Sequence, residues 1–184
     1  MKWLIASDIH GSARFCRRLT ERWQEEGAGR LLLLGDILYH GPRNDLPEGY
    51  APKEVAALLN AQKERVLCVR GNCESEVDQM VLDFPVLSEY AVLDIGGRVL
   101  FATHGHHFCP DRLPPLCRGD ILLYGHTHIP ACEEKEGILC LNPGSVSLPK
   151  GDSRRSYMTF EGDLFTWKDL ETGEALNSCR LPTP

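Results

Sequence analysis

Short apolar runs that stop at polar, glycine-containing turns make up most of the chain, and their arrangement changes near its middle. Residues 2–7 are apolar and strand-like, and over 12–26 Phe15, Leu19 and Trp23 recur at helical spacing among Arg, Glu and Gln. Two further apolar runs, 31–34 and 66–69, end at Gly35-Asp36 and Gly71-Asn72. Between them lie a polar, proline-rich loop over 39–51 and a predicted helix over 52–63 with Pro52 in its first turn. Repeated β-loop-α units of this kind predict a mostly parallel, buried sheet. In the second half, β-like runs follow one another at 91–95, 98–103, 121–124, 138–141, 157–160 and 164–169, with Gly96-Gly97 as a hairpin turn. The change from βα units to strand after strand predicts two facing sheets with helices outside, folded as one domain over residues 1–184.

Composition narrows the classes. With 184 residues, 42% hydrophobic and 25% charged, the chain fits an ordinary soluble domain. Its apolar runs are far shorter than the roughly 20 residues a bilayer requires. After Met1-Lys2 the apolar run is interrupted by Asp8 and His10 before a signal-peptide core forms. The 8 cysteines form no C-x-x-C pair and read as reduced thiols. A cytoplasmic protein without membrane association is expected. The net charge of −6 argues against stable nucleic-acid binding, which draws on clustered Lys and Arg, but leaves room for a small phosphorylated substrate held by metal.

The polar residues fall where ligands bind in α/β sheets, just beyond strand carboxyl ends. Asp8 and His10 follow the first strand, Asp36 the second, Asn72 the third, His104 the run at 98–103, and His126 and His128 the run at 121–124. A D-x-H triplet or a single His means little alone; the ordered series at successive strand ends is hard to obtain from turn composition. Asp8-x-His10, Gly35-Asp36, Gly71-Asn72, Thr103-His104-Gly105-His106 and Gly125-His126-Thr127-His128 resemble the metal-binding signature of the calcineurin-like metallophosphoesterase superfamily. Gly71-Asn72-Cys73, Asn142-Pro143-Gly144-Ser145 and the Gly41-Pro42-Arg43-Asn44 loop are similar to its YfcE-type bacterial phosphodiesterases in particular. The resemblance covers nearly the whole chain and weakens after about Gly151.

That resemblance implies a four-layer α/β/β/α sandwich, two facing mixed sheets with a dinuclear metal site at one edge. It also implies that Asp8, His10 and His128 bind one ion, that Asn72, His104 and His126 bind the other, and that Asp36 bridges them. Mn²⁺ is the expected metal, although this donor set also suits Fe²⁺ or Zn²⁺. The activity implied is hydrolysis of a small phosphodiester by a hydroxide activated between two divalent ions. With Asp8, Asp36 and the hydroxide counted, about one positive charge remains, which suits a diester monoanion better than a monoester dianion. A phosphomonoesterase or phosphatase with the same metals, and a metal-bound protein-interaction scaffold, are the competing readings.

Cys73 stands where many relatives carry a leaving-group His, so substrates with good leaving groups are expected, unless Cys73 only packs. If the chain stays extended beyond 103, His106 shares a face with His104 and reaches the substrate phosphate, while His107 points away. Arg43, in the loop after Asp36, is a candidate phosphate contact. Apolar residues over 46–59 cover either the domain's own core or a partner subunit in a homo-oligomer.

Overall fold

Alternation along the first two strands divides the core in two. In β1 (Trp3–Ala6), Leu4 and Ala6 face the helices while Ile5 faces the opposite sheet, and in β2 (Arg30–Leu33) Leu31 and Leu33 against Leu32 do the same. Both faces are buried, so these strands read as continuous apolar runs. The computed structural model describes residues 1–181.

Helix α1 (Ala13–Glu25) starts at Ser12, whose hydroxyl accepts from the Phe15 N–H at 3.3 Å. Its Phe15, Cys16, Leu19 and Trp23 lie on the first sheet beside Val55 and Leu59 of α2 (Pro52–Asn60). Helix α2 stops at Asn60 rather than running to 63. The Asn60 side chain donates to Val81 O and accepts from Asp83 N, both at 2.9 Å, tying the helix end to the segment after α3 (Glu76–Val81). A single 3₁₀ turn, Lys63–Arg65, then leads into β3 (Val66–Cys68).

The remaining strands are β4 (Tyr90–Ile95), β5 (Arg98–Thr103), β6 (Ile121–Leu123), β7 (Ala131–Lys135), β8 (Ile138–Asn142), β9 (Ser156–Glu161), β10 (Leu164–Asp169) and β11 (Ala175–Arg180). A six-stranded sheet runs β11-β10-β9-β1-β2-β3 and a five-stranded sheet β4-β5-β6-β8-β7. Both are mixed: β1-β2-β3 and β5-β6-β8 are parallel, and the outer pairings are antiparallel. Gly96 and Gly97 both take positive φ, 61° and 84°, as a two-residue hairpin requires. Between the sheets pack Ile5, Leu32, Leu100, Leu123, Met158 and Trp167. The outer face of the second sheet, with Phe101, Leu122 and Tyr124, is covered by Phe108, Leu113 and Leu116. This outermost layer is irregular rather than helical, formed by the 104–120 connection.

Far from the parallel strand ends, Glu26 joins α1 to the first sheet, accepting from Lys2 at 2.6 Å, from Tyr157 at 2.9 Å and from Lys168. Burial alone would raise its carboxyl, but the bonds from Lys168, Lys2 and Tyr157 outweigh burial and hold it below the usual range. A depressed carboxyl contributes stability that is full above its unfolded value of about 4.3. That stability is lost as pH falls through the folded value. We therefore expect Glu26→Gln to lower the melting temperature at neutral pH and to flatten the loss of stability on acidification. A variant with the wild-type acid limb would contradict this.

Candidate metal centre

The carboxyl ends of the two parallel triplets meet at one edge. There the Asp8 N–H donates to Gly35 O at 3.2 Å, His104 Nδ1 bonds Leu34 O across the sheets at 2.7 Å, and the Gly125 N–H donates to His104 O at 2.6 Å. Gly35 and Gly71 allow the first two loops to close. A Cβ on Gly35 would lie 2.6 Å from the Gly71 Cα, and one on Gly71 would lie 2.6 Å from the Asp36 N. Asp8, His10, Asp36, His126 and His128 all take positive φ, between 50° and 65°. Among the described residues only Glu136, in a hairpin, shares this conformation among non-glycines. Such backbone is uncommon for these residue types and clusters where the surrounding fold imposes it.

The side chains converge. His10 Nε2 lies 3.6 Å from Asp8 Oδ1 and 3.6 Å from Asp36 Oδ2, and His128 Nε2 lies 3.2 Å from Asp8 Oδ1. On the other side His104 Nε2 is 3.5 Å from Asp36 Oδ2, 3.1 Å from Asn72 Oδ1 and 3.2 Å from His126 Nδ1. Asp8, His10, Asp36, His104 and His128 are buried, His126 is partly exposed, and Asn72 is exposed.

Three of the imidazoles are fixed from behind. Nδ1 of His10, His104 and His128 meets the carbonyls of Tyr39, Leu34 and Leu148 at 2.9, 2.7 and 2.6 Å. A carbonyl only accepts, so the ring proton sits on Nδ1 and the lone pair on Nε2 faces inward. The Nε2 atoms of His10 and His128 then oppose each other at 3.1 Å, and His104 Nε2 opposes the Asn72 carbonyl oxygen. Asp8 Oδ2 accepts the His126 N–H at 3.1 Å, while its Oδ1 is buried without a hydrogen-bond partner among the described residues. Converging acceptors around an orphaned carboxylate oxygen fit divalent cations.

Burial and neighbouring charge shift three of these groups. Burial would raise the Asp8 carboxyl, yet the adjacent His10, His128 and His104 imidazoles hold it well below the usual carboxylate range. Burial would lower His10, but Asp8 and Asp36 raise it. His126 is lowered by burial and by His104.

The family profile of the calcineurin-like phosphoesterase superfamily domain matches residues 1–163. The chain belongs to this superfamily. It is 49% identical over 166 residues to the Escherichia coli K12 phosphodiesterase YfcE, covering 90% of each chain. The solved structure of YfcE, a phosphoesterase from E. coli, superposes with a TM-score of 0.95 at 45% identity over 99% of this chain and all of that one. A probable metallophosphoesterase of Bacillus subtilis, YsnB, is 27% identical over 90% of this chain and 88% of its own. At 22% identity, vacuolar protein sorting 29 of Cryptosporidium parvum shares the fold, with a TM-score of 0.61 over 97% of this chain and 95% of that one.

The seven side chains expected from the strand-end pattern gather at one edge. A cleft of about 570 Å³ opens over Asp36, Asn72, His126 and His128, with Arg43 and Asn44 also lining it. Cys73 lines the same cleft, its N–H 3.0 Å from Asp36 Oδ1 and its thiol 3.3 Å from Asp36 Oδ2. Burial and the Asp36 carboxylate push that thiol up, so it is a neutral hydrogen-bond donor. The segment beyond Thr103 does not stay extended. It bends at Gly105, φ 117°, and brings the His106 and His107 rings to 4.0 Å rather than onto opposite faces. His106 still lies against the centre, 5.4 Å from the His104 ring, and burial with the neighbouring His104 lowers it to about 4.

Two supports lie outside the sequence pattern, and the Asn142-Pro143-Gly144-Ser145 motif gains a role. Glu74 is buried and its carboxylate accepts from the N–H groups of Asp36 at 2.9 Å, Ile37 at 2.7 Å and Gly71 at 2.5 Å, joining the loops that carry Asp36 and Asn72. Lys150 lines the cleft as a second cation in addition to Arg43. In the 142–148 segment, Ser145 and Ser147 donate to Asp8 O at 2.9 and 3.1 Å, and Asn142 donates to Gly125 O at 2.8 Å, bracing two of the loops. An acidic residue two positions past Asn72 was the available signal for Glu74.

Proposed function

We propose that this chain is a metal-dependent phosphodiesterase that hydrolyses a small phosphodiester. The observation that carries the reading is the ring of inward-facing acceptors around the unpartnered Asp8 Oδ1. In this reading Asp8, His10 and His128 hold one ion, and Asn72, His104 and His126 hold the other. Asp36 serves both, as its Oδ2 lies near His10 on one side and His104 on the other. When bound, two divalent ions supply Lewis-acid polarisation of phosphoryl oxygens and acidify a water. The imidazole and carboxylate donors suit Mn²⁺, our choice of physiological metal.

The chain's own residues do the rest. Arg43 and Lys150 give the cleft positive charge for a phosphate oxygen, and His106 contributes an imidazole beside His104. Cys73 holds Asp36 by its N–H and thiol, and its weak acidity supports a preference for leaving groups of low pKa. The similarity to YfcE over 90% of both chains supports diesters as the substrate class. We further propose that residues 1–184 act as one domain and work in the cytoplasm, in keeping with eight free cysteines. No described helix is long and apolar enough to cross a membrane. Val55, Ala56 and Leu59 are spent on the core, whereas Leu46 is exposed, which leaves self-association to a sizing measurement.

The test is hydrolysis of bis-p-nitrophenyl phosphate by chelator-stripped protein re-supplied separately with Mn²⁺, Mg²⁺, Zn²⁺ and Ni²⁺, with the monoester in parallel. Stripped protein is expected to be inactive, Mn²⁺ to restore the most turnover, and the diester to be preferred. Undiminished activity after stripping would overturn the metal reading. Two ions bound without turnover of any ester would favour the scaffold reading.

A further inference from the structure

We propose that Glu89, His106 and His107 form a third metal site beside the candidate centre, one that takes a divalent transition ion such as Zn²⁺ or Ni²⁺. Topology places the three together. Strands β4 and β5 pair antiparallel with Tyr90 opposite Thr103, so Glu89, just before β4, lies beside the residues just after β5. The bend at Gly105 then turns both imidazoles toward it. One ligand atom from each residue lies within 4.8 Å of the other two. Donors sharing a tetrahedral zinc ion at about 2.0–2.3 Å sit roughly 3.3–3.8 Å apart. His107 and Glu89 are exposed, and their side chains can close that difference by torsion alone.

Two further observations favour a ligand here. His106 Nδ1 is buried with no hydrogen-bond partner among the described residues, in a chain whose candidate-centre histidines are mostly fixed by carbonyls. Arg70 pairs with Glu89 Oε1 at 3.2 Å, which orients the carboxylate and leaves Oε2 facing His107 at 3.9 Å. The same Arg70 offsets the one negative charge of the set. Mg²⁺ and Ca²⁺, which need several oxygen donors, are therefore poorly served. Two neutral imidazoles and one carboxylate suit ions that bind nitrogen well. Because the His106 ring is 5.4 Å from His104 and 6.3 Å from His126, an ion held here adds positive charge beside the candidate centre.

The experiment counts metal on the full-length chain after equilibrium dialysis against micromolar Zn²⁺, for wild type, His107→Ala and Glu89→Gln. Each variant is expected to carry one ion fewer than wild type. Ni²⁺ added to wild type is expected to broaden the His107 ring signals in an NMR spectrum beyond those of His40. Equal ion counts in all three proteins would overturn the proposal. The difference between wild type and variants tests the third site, and the count left in the variants tests the dinuclear reading separately. One ion in wild type and none in the variants would keep the third site and remove the pair.

Discussion

Asp36→Asn is expected to lower kcat/KM for a phosphodiester by about a thousandfold, the scale on which removing one well-placed electrostatic group acts. The bound metal should fall by roughly one ion per chain. Asn keeps the shape of Asp and tolerates the left-handed backbone that position 36 adopts, φ 55°. Its carbonyl oxygen still accepts the Cys73 N–H that now reaches Asp36 Oδ1. What is lost is the negative charge between the His10 and His104 nitrogens. Steady-state kinetics and metal analysis measure both quantities, and a melting curve shows whether the fold is kept. A variant with wild-type turnover and metal content would remove Asp36 from the centre.

Glu74→Ala is expected to cost about 3–5 kcal/mol, because it leaves the buried N–H groups of Asp36, Ile37 and Gly71 without their acceptor. For a chain of this size that corresponds to a drop in melting temperature on the order of 10 °C. Glu74→Gln, which keeps one oxygen but turns an NH₂ group on the remaining donors, should fall between the two. Activity should decline with stability, since the same carboxylate spaces the loops that carry Asp36 and Asn72. Thermal melts of the three proteins decide it. An alanine variant that melts with wild type would mean that water or another group satisfies those donors.

The parts of the fold that the sequence made legible are those where burial is one-sided or complete. Strands β1, β2, β5 and β6 are buried and apolar, and α1 shows Phe15, Leu19 and Trp23 on one face. Strands β7 and β11 went unseen because they lie at sheet edges, where Glu133, Glu134 and Asn177 face solvent and no apolar alternation forms. Helix α3 is only six residues long, and its sign was the capping box of Ser75 and Asp78 rather than periodicity. The end of α2 was set by Asn60, a contact with residues more than twenty positions away. The residues of the candidate centre were legible because each follows a parallel strand. The supports at Glu74, Ser145 and Ser147 act through backbone groups of other loops, which sequence spacing does not display.

The left-handed turns at Asp8, His10, Asp36, His126 and His128 have a consequence for anyone reshaping this protein. Each holds an L-residue in a conformation disfavoured by about 1 kcal/mol or more. Glycine at any of the five would ease the local backbone and at the same time delete a proposed metal donor. Firmness of the edge and grip on cations are thus in direct competition there. A variant library selected only for heat resistance would be drawn toward these positions, at the expense of the proposed metal donors.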